Sequence, residues 1–421
     1  MNSSKHEKLM FSSTYWRLFS SRVLSGSSGS IFSLLIIWIA FSATGSGIII
    51  AIIGISELLG PAVFSIFFGN YVDSFDRRKI MFLSQVFRTF IQFSIFVFIF
   101  QFGFNITFIA AALFVYSSLG TLYRTSENSY LPDIVDGKSL QYANGLLRTS
   151  MNISYIISTS AAGLVIVFIG ATRGLLITSP EILISAILIL RLQKVPVRQR
   201  ARGKILSEIH DGLAWLIGMR GLLFLTISAM FINFFFTLST PFYVVFNNRL
   251  LGGSPIIFAS MLVFYSIGDI IGAIASGKLQ SIRYTGAAWT MLYGFSSGML
   301  ILFMTIFHLL VIVLAFNFLI GLCVGFGGTT WLTYSQRVVP SEMRGRYFGI
   351  DSLGSYAIMP LGEAVGGIII SIYGVYISFL ISAAGLMISS IGFFALKPLR
   401  NLGRDSQLLN ESPVGDEIPQ T

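Results

Sequence analysis

Gly69-Asn70-Tyr71-Val72-Asp73-Ser74-Phe75-Asp76-Arg77-Arg78-Lys79 lies between two long apolar runs. Asp73, Asp76, Arg77, Arg78 and Lys79 all carry charge. Between apolar runs this chain has few polar residues to spend, so a turn that concentrates charge is informative. The rest of the composition explains the scarcity. The chain has 421 residues, 54% of them hydrophobic and only 11% charged, with a mean hydropathy of +0.79. A soluble domain carries about 25% charge. Apolar segments of about 20 residues cross a hydrocarbon core of about 30 Å, and the 39 phenylalanines suit lipid-facing helix surfaces. A membrane β-barrel would show short alternating segments, whereas these runs are long and continuous.

Several function classes fall away. The lone Cys323 permits no internal disulfide and sits in an apolar run, as a small core residue does. His6, His210 and His308 have no ligand spacing, so no metal site is expected, nor any cofactor. No His/Ser/Asp or metal cluster sits near a membrane surface, so an enzyme is not expected. The net charge of +10 fits basic residues retained at the inner membrane face, with no nucleic-acid partner. Met1 to Thr14 lacks the pattern of a cleaved signal peptide.

Reading the apolar runs between charged or Gly/Pro punctuation predicts twelve spans: 15–43, 47–70, 79–101, 105–126, 141–170, 173–192, 221–247, 255–279, 284–307, 309–334, 345–371 and 375–396. With the N-terminus inside, only Arg173 and Arg249 of the 28 Lys and Arg fall near the outer face. The positive-inside rule predicts such an asymmetry. It supports a multi-pass protein of the cell membrane with both termini cytoplasmic. The organisation expected is a tail over 1–14, a six-helix bundle over 15–192, a linker over 193–220, a second bundle over 221–398 and a polar, disordered tail over 399–421. Within the linker, Ile205, Ile209, Leu213, Leu216 and Ile217 recur at helical spacing after a basic cluster, as in an amphipathic helix lying on the membrane surface.

The halves carry matching punctuation. Gly69 and Pro132 recur 208 residues later as Gly277 and Pro340, and Gly145, Gly163 and Gly170 recur 204 later as Gly349, Gly367 and Gly374. Two parallel halves related by an axis along the membrane normal place a substrate site between them.

The charged turn resembles the loop between the second and third helices of the major facilitator superfamily of secondary transporters, G-x-x-x-D-[RK]-x-[GD]-R-[RK]-[RK]. Gly69, Asp73, Asp76, Arg77, Arg78 and Lys79 match it, and Ser74 departs. Arg346-Tyr347-Phe348-Gly349, Pro360-Leu361-Gly362, Leu131-Pro132-Asp133 and Leu250 to Pro255 look like the macrolide and siderophore exporter branch. The resemblance implies an all-α membrane protein, twelve helices in two pseudo-symmetric bundles. It implies a conformational latch in the turn, with Asp73 facing the start of the eleventh span near Gly345 and Glu342. A carboxylate at a helix N-terminus is favoured by about 0.3–1 kcal/mol. The basic residues Arg77, Arg78 and Lys79 also serve as topological anchors. Where antiporters of the family carry a Gly-Pro pair in the fifth span, this chain has Ser158-Thr159.

Four acids fall mid-span: Glu57, Glu181, Asp269 and Glu363. An ionised acid at the bilayer centre costs about 2.5–3.5 kcal/mol on insertion scales. Such residues are candidates for proton coupling or for a counter-charge to cargo. Arg22 and Arg88 lie about a third of the way into their spans. In the family, spans 1, 4, 7 and 10 line the cavity, so Ser30, Ser33, Tyr116, Asn233, Thr237, Tyr243, Asn317 and Trp331 are the cavity candidates. The resulting expectation is a monomeric alternating-access transporter exporting amphipathic drug-like or siderophore-like small molecules on the proton gradient. Uptake of a small nutrient, or a non-transporting receptor or scaffold on the same fold, are the alternatives.

Overall fold

A computed structural model describes residues 12–135, 137–195, 205–278 and 289–402. Helices α1 (Ser13–Thr44), α2 (Gly47–Ser74), α3 (Arg77–Phe102), α4 (Ile106–Ile134), α5 (Gly137–Phe168) and α6 (Ala171–Leu190) form the first half. The short α7 (Ile205–Gly218) falls where the sequence pattern places an amphipathic helix. The second half holds α8 (Arg220–Thr237), α9 (Tyr243–Leu250), α10 (Pro255–Lys278), α11 (Ser297–Ile306), α12 (Leu310–Val338), α13 (Ser341–Tyr373) and α14 (Val375–Ala395), followed by the short α15 (Lys397–Arg400). Among the described residues, nine segments are long and apolar enough to cross a membrane. The helices α2, α5 and α13 carry shorter apolar stretches, Gly47–Pro61, Ile153–Phe168 and Ile358–Tyr373. The twelve runs read from the sequence are these twelve. The tail beyond Leu402 lies outside the described residues.

The helices begin and end where local chemistry requires. Ser12 caps α1 by accepting from the Tyr15 amide at 3.2 Å, and Asn105 caps α4 through the Phe108 amide at 3.1 Å. At one end of the bundle the connections turn on glycines with positive φ: Gly45, Gly103, Gly170, Gly253 and Gly374. Each donates its N–H to the last turn of the helix before it. Gly374 alone joins α13 to α14. Its φ of 86° would strain any residue bearing a Cβ. This is the glycine end, and the opposite end, with Asp76 to Lys79 and Arg191, is the basic end.

Two spans depart from regular helix. The seventh, expected to run unbroken over 221–247, is two helices joined by a 3-10 turn over Thr240–Phe242. Pro241 has no N–H to donate back to Thr237, and its ring opposes a continuous helix. The hydroxyls of Ser239 and Thr240 bond the Phe236 carbonyl, at 3.2 and 3.0 Å, so the break leaves that carbonyl satisfied. In the ninth span, expected over 284–307, the described residues start with a π-helical turn, Trp289–Ser296, before α11.

Helix α3 is built inside out relative to a soluble helix. Gln85, Arg88 and Gln92 are buried, whereas Phe87, Phe90, Phe93 and Phe100 are exposed. Lipid is the solvent that makes such a face favourable. In the second half α10 and α12 meet backbone to backbone. A Cβ built on Gly268 would collide with the Phe318 carbonyl, one on Gly272 with Leu322, one on Gly321 with Tyr265 and one on Gly325 with Asp269. Two G-x-x-x-G pairs therefore mesh.

Candidate functional site

The charged turn is organised by its own local chemistry. Asp76 caps α3, accepting from the Arg78 amide at 3.0 Å and the Lys79 amide at 3.4 Å. Arg77 forms an ion pair with Asp133 and donates to the Ser129 carbonyl at 3.1 Å. Arg78 donates to the Leu192 carbonyl at 3.0 Å. The two arginines thus tie the start of α3 to the ends of α4 and α6 within one half, and Lys79 is exposed. Gly69 and Asp73 lie on α2, but their side-chain positions fall outside the described residues, as do those of Glu342 and Gly345.

A buried polar network runs through the first half. Arg22 is paired with Glu127, which is 1% exposed. Ser21 bonds Tyr123 at 3.2 Å and Ser185 at 2.7 Å. Gln85 donates to Ser185 at 2.9 Å. Arg88 then donates to Gln85, Ser25 and Tyr116, each at 2.8 Å, with its guanidinium 4.3 Å from the Tyr116 ring centre. Every partner that the structure gives Arg88 among the described residues is uncharged.

The two halves meet near the glycine end along two seams. In the first, α2 crosses α13. A Cβ on Gly367 would lie 2.7 Å from Ala51 Cβ and 3.0 Å from the Gly47 carbonyl, and one on Gly54 would collide with the Glu363 carboxyl. Glu57 accepts from Ser33 at 2.9 Å. The other oxygen of Glu57 and Oε2 of Glu363 are buried without a hydrogen-bond partner among the described residues. The two carboxyls are near enough for the charge of one to act on the other, and like charges there repel. In the second seam, α5 crosses α10. A Cβ on Gly163 would lie 2.6 Å from Ala259 Cα, and Thr159 and Ser266 are 3.5 Å apart. At the same end Trp38 of α1 packs against Phe258, with the rings tilted and their centroids 5.0 Å apart.

Toward the basic end the halves enclose a cavity of about 520 Å³. Arg22 and Met151 line it from the first half. Asn233, Trp289, Tyr293, Trp331 and Asp351 line it from the second. Trp289 and Tyr293 stack with centroids 5.4 Å apart and planes at 19°, both presented by the π-helical turn. Asp351 is only 6% exposed, and its Oδ1 is buried with no hydrogen-bond partner among the described residues.

Of the eight cavity candidates, the structure brings Asn233 and Trp331 to this cavity. The others are not among the described residues that line it, and their polar atoms or rings have local contacts. Ser30 donates to the Gly26 carbonyl of its own helix at 3.0 Å, and Ser33 serves Glu57. Tyr116 is held by Arg88 and by Gln92 at 3.1 Å, inside the first half. Thr237 donates to the Asn233 and Phe234 carbonyls, both at 3.0 Å. Asn317 donates to the Val313 carbonyl at 2.9 Å and is fully buried in the second half. Tyr243 is buried against Phe379 at 5.8 Å. Among the mid-span acids, Glu181 is half-buried, with Ser27 of α1 near its carboxyl. Asp269 lies under Gly325, with Tyr155, Tyr265 and Tyr293 within reach of its charge. Asp351 was not among the acids selected from the sequence. It stands only ten residues into α13, where it reads as the polar start of a span. The signal that could have singled it out is its helical position, which matches the depth of Arg22 in α1.

The arrangement is that of two helical halves in contact near one end, with a cavity between them toward the other. Comparison with known proteins gives the same architecture. The chain is 24% identical over 378 residues to the multidrug efflux pump Tap of Mycolicibacterium fortuitum, covering 87% of this chain and 91% of that protein. It is 22% identical over 397 residues to macrolide efflux protein A of Streptococcus pyogenes, covering 92% and 97%. Its fold matches, with a TM-score of 0.73 and 14% identity over 94% of this chain and 98% of the other, a bacterial homologue of the human lysosomal transporter Spinster solved in an inward-facing, unoccupied conformation. The model of the Major Facilitator Superfamily matches residues 18–362 and 225–414, and by that match over most of its length this chain, a multi-pass membrane transporter and not an enzyme, belongs to the superfamily.

Proposed function

We propose that this transporter exports amphipathic, drug-like small molecules, siderophore-like ones among them, by alternating access coupled to the proton gradient. It works as a monomer in the cell membrane with both termini in the cytoplasm. The observation that carries the reading is the cavity between the halves with its two glycine-lined seams closed beside it. Cargo would enter from the basic end, which the positive-inside rule sets in the cytoplasm, and leave when the seams part. Similarity to two efflux pumps supports the outward direction. Glu57, Asp269 and Glu363 are the proposed proton carriers, with Glu181 a lesser one. A proton on one of the Glu57–Glu363 pair would remove the repulsion across the α2–α13 seam.

The test is a cargo screen in cells lacking their own efflux pumps, with and without a protonophore. Expression is expected to lower accumulation of amphipathic compounds, and the protonophore to abolish the difference. In vesicles with an imposed pH gradient, Glu57→Gln and Glu363→Gln are expected to reduce transport about tenfold or more and to flatten its pH dependence. Normal transport by Glu57→Gln, Asp269→Asn and Glu363→Gln alike would make these acids structural.

Asp73 is the proposed latch. In the outward-open state its carboxylate would meet the N-terminus of α13, which begins at Ser341. Asp73→Asn is expected to move the balance toward the state open at the basic end by up to about fivefold, the range of such a contact. Cysteine accessibility at the two ends reads this balance, and an unchanged ratio leaves only the anchoring by Arg77 and Arg78.

A further inference from the structure

We infer that the cavity selects cargo bearing a single positive charge, and that Asp351 is the residue that meets it. The inference rests on the efflux reading above and deepens it.

Among the described residues, the charges lining the cavity do not balance. Arg22 reaches the cavity from α1, but its guanidinium is already paired with Glu127. Asp351 reaches it from α13 and has no such partner among the described residues. The described lining therefore holds one paired cation and one acid whose Oδ1 is buried without a hydrogen bond among the described residues. A buried polar atom left unpaired is costly, and the cost is recovered when a complementary group arrives. The group that fits is a cation or a protonated amine.

The rest of the wall agrees. Trp289, Tyr293 and Trp331 line the same space, and the first two are stacked on each other. Aromatic faces attract cations, Trp most strongly, and bind flat apolar bodies as well. Asn233 adds a neutral donor and acceptor. An acid and three aromatic rings lining one cavity suit an amphipathic cation, in which the charge meets Asp351 and the apolar body lies against the rings. It does not suit an anionic chelator, which would face Asp351 as a like charge. Within the wider proposal this favours amine-bearing drug-like cargo over acidic siderophore-like cargo.

Two probes of nearly equal size separate the possibilities: methyltriphenylphosphonium, which is cationic, and triphenylphosphine oxide, which is neutral. Their binding to the full-length protein in lipid nanodiscs is measured by titration calorimetry. The wild type is expected to bind the cation at least about tenfold more tightly than the neutral probe, as a single charge contact allows. Asp351→Asn is expected to remove that preference by weakening the cation alone, and Asp351→Glu to keep it. The inference is overturned if the wild type prefers the neutral probe or does not discriminate. It is also overturned if Asp351→Asn retains the preference, or weakens both probes alike, since Asp351 would then serve a cation of the chain such as Arg22. If the variant does not fold, the wild-type comparison still decides whether the cavity favours a cation. Binding of the neutral probe alone leaves the efflux reading standing, whereas binding of neither probe removes the cavity as the cargo site and takes both readings with it.

Discussion

Gly321→Leu is expected to yield no folded, monodisperse protein. The reason is the meshing of α10 and α12. At Gly321 a Cβ would fall on the Tyr265 carbonyl, and the partners Gly268, Gly272 and Gly325 are equally close to backbone. A side chain that met another side chain could be accommodated by a new rotamer. Backbone against backbone cannot yield, so the helices must separate along the whole seam. Overpacking by a methylene or so in a well-packed core already costs about 1–3 kcal/mol. Separating two membrane helices also forfeits the van der Waals contact that holds them, because lipid supplies no hydrophobic drive between them. The expected loss is roughly 3 kcal/mol or more. Size-exclusion profiles of detergent extracts and thermal melting measure it. Gly392→Leu is the control, because nothing lies within 4 Å of a Cβ there. If the two variants express and melt alike, the α10–α12 seam is looser than its geometry.

Gly367→Leu is expected to behave differently: it folds and fails to transport. Gly367 belongs to the seam between the halves, against Ala51 and Gly47. Under alternating access that seam must part in every cycle, so a residue that keeps it apart mimics one working state instead of destroying the molecule. The penalty falls on the state closed at the glycine end. A shift of about 1.4 kcal/mol moves that equilibrium tenfold, and a leucine here is expected to exceed it. Transport in vesicles should fall at least about tenfold, with melting temperature near that of the wild type. Cysteines placed at Thr44 or Ser46 should become more reactive to a membrane-impermeant reagent. Unaltered transport would show that the seam does not close during the cycle. The contrast between Gly321 and Gly367 separates contacts that hold a half together from contacts that the cycle makes and breaks.

The spans were legible because an apolar run of about 20 residues has one use. The glycine punctuation at Gly45, Gly103, Gly170 and Gly374 marked their ends well. Hydropathy is blind to hydrogen bonding, so it ran through Pro241 and missed the break in the seventh span. It was equally blind to the π-helical turn at Trp289–Ser296, which differs from an α-helix only in its hydrogen-bond partner. The site was less legible for a related reason. A polar residue such as Tyr116 or Asn317 on an apolar helix faces some interior, but a half-bundle has an interior of its own besides the central cavity. Arg88 fixes the choice for Tyr116, and that contact joins α3 to α4 across 28 residues of chain. One pattern was present and unused: Gly268-x-x-x-Gly272 and Gly321-x-x-x-Gly325, the spacing at which two helices can touch.

The glycine turns have a consequence for how the cell's surroundings meet this molecule. Joined by connections as short as Gly374 alone, the helices at that rim leave almost no slack chain. Its exposed basic residues, Arg173 and Arg249, sit inside helices. A protease needs an extended segment to thread, and an antibody or a phage needs a protruding loop to grip. If that rim is the one turned outward, the protein is nearly featureless to any of them, and what it offers the outside world is the route its cargo takes.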